Sequence, residues 1–452
     1  MEALLPLVRT GVPPAGAPPV SVAIVGAGAC GLTAALMLAD EHIDCVVLER
    51  DLAPGGSTAL SSGFIPAPGT RAQAARGIAD SADQFARDIQ AKAHGTAAPH
   101  LVQAYAQAIG PALNALELRH GLQFELLDGF LYPGHSALRM HAVPEKTGAA
   151  LMTRLQRAAD AAGVTVLAEA LVRELWVGQD GQATGLGYQR PDGVMERLRC
   201  DAVLLACNGF GGNPARVREF LPEMRDAIYA GHSGNDGSAI AWGQALDARL
   251  ADLGGYQGHG SWVVPQGALM SWAVMAEGGV QLNANGQRFH DETQGYSEAA
   301  VEVLAQPGGV AWNVFDERLL ALARSFPDFR VAEEAGALRR AGDRAALAAV
   351  IGCAQAGLAP DLRRLAPPFF AVRVTGALFH TQGGLDIDAH CRVLRGSGLP
   401  FGNLLAAGGA ARGVSGNAVW GYLSGNGLLS AVAGGAIAAN TVARLLQPKE
   451  TP

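Results

Sequence analysis

The sequence predicts an α/β protein in which one parallel-sheet domain is interrupted by an inserted α+β unit. Three observations carry this. A short β-branched strand runs straight into Gly26-x-Gly28-x-x-Gly31 and a small-residue helix. Two later apolar runs, residues 202–205 and 404–407, likewise end in glycine-containing segments. Between them, residues 249–368 change texture, with Tyr256, Trp262, Trp272 and Trp312 among short strand-like runs.

Taken in order, prolines at 13, 14, 18 and 19 and the lack of a charged stretch before a long apolar core make residues 1–18 a loose tail, not a leader. Residues 21–25 form a strand. Gly26 then permits a tight turn, Gly28 lets a pyrophosphate approach the backbone at the helix N-terminus, and Gly31 packs helix on strand. Eighteen residues after Gly31, the run 45–48 ends in Glu49, placed to take ribose hydroxyls. Strand, glycines, helix, second strand and acid together predict a dinucleotide site.

A polar glycine-rich loop follows at residues 54–63, then a helical region over 71–120. Strands are predicted at 164–167 and 171–177, with a hairpin turn at 178–181. The buried strand 202–207 runs into Asn208 and Gly209, and Asp236 is placed to cap the next helix. Residues 333–351 read as a charged helical stretch. The chain returns to the first domain with residues 381–388, the strand 404–409 and a buried helix over 428–443. The predicted domains are therefore 19–248 with 369–447, and the inserted 249–368.

Composition narrows the function. Charged residues make up 17% of the chain and the net charge is −7 without a basic cluster, which disfavours nucleic acid. The 59 glycines, about twice the ordinary share, are unperiodic and fit close backbone approaches to a bulky ligand. Six cysteines form no CxxC pair, so no metal or haem attachment is predicted, and a reducing cytoplasm suits them. No transmembrane segment is predicted.

The ordered motifs Gly26–Gly31 with Glu49, Gly55–Gly63, Gly234–Gly237, Gly286–Glu292, Thr381–Gly384 and Ala407–Gly409 resemble the flavoprotein family of fumarate reductases and 3-ketosteroid Δ1-dehydrogenases, over residues 20–446. The resemblance implies a Rossmann-like FAD-binding domain of the GR2 type interrupted by a capping domain, with substrate held between them. It implies FAD contacts at Gly26, Gly28, Ala29, Gly31 and Glu49; at Gly56, Ser57, Thr58, Ser62 and Gly63; and at Asn208, Gly209, Asp236, Gly408, Gly409 and Gly425. Ser57 and Thr58 stand where relatives that bind FAD covalently carry histidine, so a noncovalent FAD is implied.

Departures from the fumarate reductase pattern matter most. A dicarboxylate needs bidentate, charge-assisted partners. The position eight residues after Arg288, where the resemblance calls for an arginine, is Tyr296, and Phe379 followed by His380 stands at a histidine position. The last glycine-rich turn has Asn417 to Tyr422 and no arginine. Ketosteroid dehydrogenases place a tyrosine at the first of these positions and another in that last turn.

The implied reaction is introduction of a C=C bond α,β to the carbonyl of a cyclic ketone. Tyr296 takes the α proton, flavin N5 accepts hydride, and Tyr422 with a glycine N–H holds the carbonyl oxygen. His141 and Tyr132 are expected to face substrate, with His135 beside them, while Arg288, Asp291 and Glu292 form an ion-paired bend that aims Tyr296. Two other readings stay open: the reverse reaction, an ene-reductase of an activated alkene, and a flavin-binding subunit without catalysis. The expected partners are an apolar ketone or enone and a separate electron carrier, since the sequence carries no second nucleotide fingerprint, iron–sulfur spacing or haem motif.

Overall fold

The computed structural model describes residues 6–447. The glycine-bounded apolar runs become strands of two large sheets. The first has nine strands, centred on a parallel set in the order Thr165–Leu167, Cys45–Leu48, Pro19–Val25, Met195–Leu205 and Pro400–Ala406. Such strands are apolar through most of their length because both faces are covered. Register aligns Val25 with Leu48 and Leu205, and Leu205 with Ala406. The residues that follow therefore leave the sheet along one edge, the carboxyl edge where ligands collect in α/β sheets. The predicted hairpin forms between Leu171–Val177 and Ala183–Gln189.

The helix Ala29–Asp40 lies against the last helix, Asn426–Leu446. A Cβ on Gly435 would come within 2.5 Å of the Cys30 carbonyl, so glycine is what lets the two backbones meet. The last helix is apolar and long enough to cross a bilayer, but 67% of its apolar window is buried inside the fold.

The second sheet has seven strands. Its central strand, Phe369–Thr381, pairs antiparallel with Tyr256–Val263 on one side and Val310–Phe315 on the other. The helix Tyr296–Leu304 lies directly on it. Three glycines make room: Cβ atoms on Gly258, Gly260 and Gly376 would come within 2.8 Å, 2.7 Å and 2.3 Å of Ala299 or Ala300. The start of that helix, and Tyr296 with it, is thus set at a fixed height above the sheet.

Three sequence expectations are corrected. Residues Leu7–Thr10 are not a loose tail but a strand parallel to Leu171–Val177, with Arg9 Nε donating to Glu174 Oε1 at 3.0 Å; residues 1–5 of that tail lie outside the described residues. The strand Phe369–Thr381, expected in the first sheet, pairs within the second. The helical region 71–120 forms as expected, as three helices, Arg71–Ala75, Ala82–Lys92 and Pro99–His120. The charged stretch 333–351 is interrupted by the strand Arg339–Ala341, which pairs with Phe369–Ala371. For each of the corrected strands the pairing partner is distant in sequence, and local pattern does not carry it.

Substituting Gly376 tests the close approach. Gly376→Ala drives a methyl against the Ala300 carbonyl, and overpacking of this kind costs about 1–3 kcal/mol. The urea midpoint of the holoprotein is expected to fall; an unchanged midpoint would show that the helix is free to shift.

Candidate active site

One cavity runs along the carboxyl edge of the first sheet and under the second, with about 1710 Å³ free of protein atoms, its open mouth included. At one end the sequence dictates a phosphate cradle. Gly26 has φ +103°, and a Cβ there would come within 2.7 Å of the Ala206 carbonyl, so only glycine turns the chain here. The helix Ala29–Asp40 begins at Gly28 with no side-chain cap. Its leading N–H groups, apart from Ala29 N, which reaches Thr58 Oγ1 at 3.3 Å, have no such partner at a terminus that attracts anions.

All the expected FAD contacts line this cavity except Gly31 and Gly209. Those two lie behind it: a Cβ on Gly31 would strike the Gly26 carbonyl at 2.0 Å, and one on Gly209 would strike Thr381 Oγ1 at 2.0 Å. Their role is to let the cradle close. Glu49 already uses both oxygens, accepting from Ala27 N at 2.8 Å and Asp51 N at 3.0 Å, so it stiffens the glycine turn as well as lining the site. Ser57 accepts from His232 N and Asn235 Nδ2, and Asp236 takes Ser238 N at 3.0 Å. An uncapped helix N-terminus and glycine walls along the strand ends fit FAD.

At the other end, under the second sheet, three phenols converge. The Tyr296 ring is 6.0 Å from Tyr422 and 6.4 Å from Tyr132. His259 stacks on Tyr296 at 4.6 Å with 19° between planes. Trp272 and Phe379 stand around His259 at 6.0 Å and 5.6 Å. Arg288 binds both oxygens of Glu292, at 3.2 Å and 2.6 Å, and the Glu292 carbonyl accepts from Trp272 Nε1 at 3.2 Å. Of the ion-paired bend expected ahead of Tyr296, whose helix starts after Gly295, Arg288 and Glu292 pair as expected and Arg288 also reaches Asp361 at 2.9 Å, whereas Asp291 accepts from Thr293 N and Oγ1 instead.

The charge balance of this end is its main chemical property. His259 Nδ1 accepts from Ser261 N at 3.1 Å, which leaves the ring proton on Nε2. Burial pushes its pKa down to about 3. His380, hydrogen-bonded to the Gln382 amide at 2.8 Å, is pushed down to about 4 by the same cause. Both are neutral at pH 7. Among the described residues Arg50 is the only arginine lining the cavity and no lysine lines it, and Arg50 sits at the opposite end against Gly234 and Asp236.

Burial raises all three tyrosines. Tyr132 is pushed up to about 12, and Tyr422 and Tyr296 rise further, Tyr296 also through the neighbouring Tyr422. Tyr422 differs in one respect. Its oxygen accepts from Gly427 N at 3.3 Å, at the start of the helix Asn426–Leu446, whose N-terminus carries no side-chain cap. With an acceptor site filled by the backbone, its O–H is left to donate.

His141 is a correction. Its Nδ1 donates to the Arg139 carbonyl at 2.9 Å, so Nε2 accepts from Thr70 Oγ1 at 2.8 Å. The side chain is 1% exposed and fully partnered away from the cavity. Strand alternation turns Met140 to the cavity instead. His259 is the residue that sequence reasoning left unassigned. A signal existed: Gln257 and His259 are two apart on a strand, hence on one face, and both line the cavity.

Comparison with known proteins agrees with this geometry. The FAD binding domain family matches residues 21–428. NADH:fumarate oxidoreductase of Klebsiella pneumoniae (strain 342) is 26% identical over an alignment covering 94% of this chain and 47% of that protein, so the chain spans about half of that relative's length. Probable fumarate reductase Ifc3 of Shewanella frigidimarina is 25% identical, with 94% and 74% covered. Among solved structures, an open flavocytochrome c3 fumarate reductase superposes with TM-score 0.80 at 24% identity, covering 96% of this chain and 80% of that one. For 3-ketosteroid-delta4-(5alpha)-dehydrogenase from Rhodococcus jostii RHA1 the values are 0.75, 24%, 94% and 97%; both likenesses concern the fold. The cradle and the family match together give the conclusion that this chain belongs to the FAD binding domain family and is an FAD-dependent oxidoreductase.

Proposed function

We propose that the protein is a dehydrogenase that introduces a C=C bond α,β to the carbonyl of a neutral cyclic ketone. The observation that carries this is the convergence of Tyr296, Tyr422 and Tyr132 at a cavity end lined by no arginine or lysine. A dicarboxylate brought there meets two neutral imidazoles and three phenols, and the desolvation cost of its charges goes uncompensated. An uncharged ketone bears no such cost.

Bound FAD, held noncovalently by the cradle, supplies the hydride-level acceptor. The residues of this chain do the rest. Tyr422 donates its O–H to the carbonyl oxygen, and the N-terminus of Asn426–Leu446 beside it stabilises the negative charge that grows there. Tyr296 accepts the α proton. Tyr132, on the Ser271 side of the cavity, packs edge-on against Tyr296 and excludes water from it. A separate electron carrier reoxidises the protein.

The reverse reaction, reduction of a neutral activated alkene, has one observation in its favour. Burial keeps Tyr296 protonated, the form that donates a proton. The names borne by the fumarate reductase relatives point the same way, but their substrate does not suit a cavity end without cations.

Tyr296→Phe is expected to keep FAD, read from the visible absorbance, and to lose at least about 100-fold in turnover, the lower range for removal of an acid–base group. Near-wild-type rates with cyclohexanone, 2-cyclohexenone and 4-androstene-3,17-dione would remove Tyr296 from the chemistry. The raised pKa also sets a pH dependence. A base must be unprotonated, so dehydrogenation is expected to climb without a plateau up to about pH 10, the ordinary tyrosine pKa. Alkene reduction, which needs the protonated phenol, stays flat over the same range. A dehydrogenation plateau reached near neutral pH would contradict a tyrosine base.

A further inference from the structure

The turn Tyr132-Pro133-Gly134-His135 presents Tyr132 to the cavity on one side, while His135 points behind the cavity wall. His135 is 6% exposed, and both of its ring nitrogens are spoken for. Nε2 lies 3.0 Å from the Ser424 carbonyl, which only accepts, so Nε2 bears the proton. Nδ1 lies 3.4 Å from an Arg139 N–H, which only donates, so Nδ1 is the acceptor. The tautomer is fixed from both ends.

Arg139 is itself held rigidly. Its side chain is fully buried, it grips both oxygens of Asp80 at 2.9 Å, and it reaches Asp88 at 2.5 Å. Its guanidinium covers the Phe85 ring, and Phe85 in turn stacks on His135. Gly134 completes the fit, since a Cβ there would come within 2.8 Å of Leu423. The peptide following Tyr422 is therefore clamped between a charged, immobile anchor and the cavity. Ser424 and Gly425 line the cavity, and the Ser424 hydroxyl interacts with the Tyr296 phenol.

We propose that His135 is a positioning residue for the reaction: through one directed hydrogen bond to the Ser424 carbonyl it fixes the turn that sets Tyr422 and Tyr296 against each other. It touches neither substrate nor FAD. Burial and the adjacent Arg139 hold its pKa down to about 4, so Nδ1 stays an acceptor facing Arg139 at neutral pH, while Nε2–H donates to Ser424 in either protonation state. The inference rests on the functional reading of Tyr296.

Two variants test it, assayed as flavin-loaded enzyme with 4-androstene-3,17-dione or, where faster, cyclohexanone, and an artificial acceptor dye. His135→Phe keeps the ring stack but removes the donor; it is expected to retain FAD, lose at least tenfold in kcat and change KM by less than threefold. His135→Gln, whose amide N–H reaches the same carbonyl, is expected to recover most of the rate. If His135→Phe does not hold FAD, His135→Asn, whose amide stops short of Ser424, takes its place with the same expectation. In the Tyr296→Phe background, removing the His135 donor is expected to cost less than twofold further. The inference is overturned if the donor-less variant keeps kcat within twofold of wild type, if the Gln variant is as slow as the Phe variant, or if the loss in the Tyr296→Phe background is again tenfold. A Tyr296→Phe enzyme that keeps its rate overturns the functional reading; one that loses it beside a fully active His135→Phe enzyme overturns only the role given to His135.

Discussion

The site depends on burying phenols and imidazoles where no fixed charge compensates them. Taking a polar group out of water is costly unless its hydrogen bonds are replaced, and the fold replaces them one by one. His259 gives its lone pair to Ser261 N, Tyr422 takes Gly427 N, and His380 is held by Gln382. What stays unspent is a small set of donors directed into the cavity. That set matches a carbonyl oxygen better than a carboxylate, and burial is accordingly the largest cause of the shifts of Tyr132, Tyr296, Tyr422, His259 and His380.

Glycine is the means by which two sheets reach a common ligand. The cradle requires it at Gly26 for backbone conformation and at Gly31 for contact. The second sheet requires it at Gly258, Gly260 and Gly376 for a different purpose, to seat the Tyr296 helix. The abundance of glycine in the chain thus has two separate physical causes, one at each end of the cavity. The charged side chains near the site act at a distance from the chemistry. Arg139 with its two aspartates and Arg288 with Glu292 are buried or half-buried ion pairs.

Much of this was legible in the sequence because it is local. Strand, Gly26-x-Gly28-x-x-Gly31, helix and Glu49 lie within a short span, and their spacing alone implies the cradle. Tyr296 and Tyr422 stand out by their place in ordered motifs, and both line the cavity. What the sequence concealed is set by long-range pairing. The four-residue strand at Leu7 has no periodicity to announce it, and the strand Phe369–Thr381 is apolar enough to suit either sheet. His141 and His259 show the limit for side chains. Each sits on a buried strand, and register decides which of them meets the cavity. His141 turns to Thr70, while His259 stacks on Tyr296.

The central claim is that the substrate end of the cavity recognises a neutral carbonyl compound. Anaerobic titration of the FAD-loaded protein, followed by flavin absorbance, measures this directly with 4-androstene-3,17-dione and fumarate as separate ligands. The account predicts a saturable spectral change or bleaching with the ketone and none with fumarate at the same concentrations. Saturable binding of fumarate, with no response to the ketone, would contradict it.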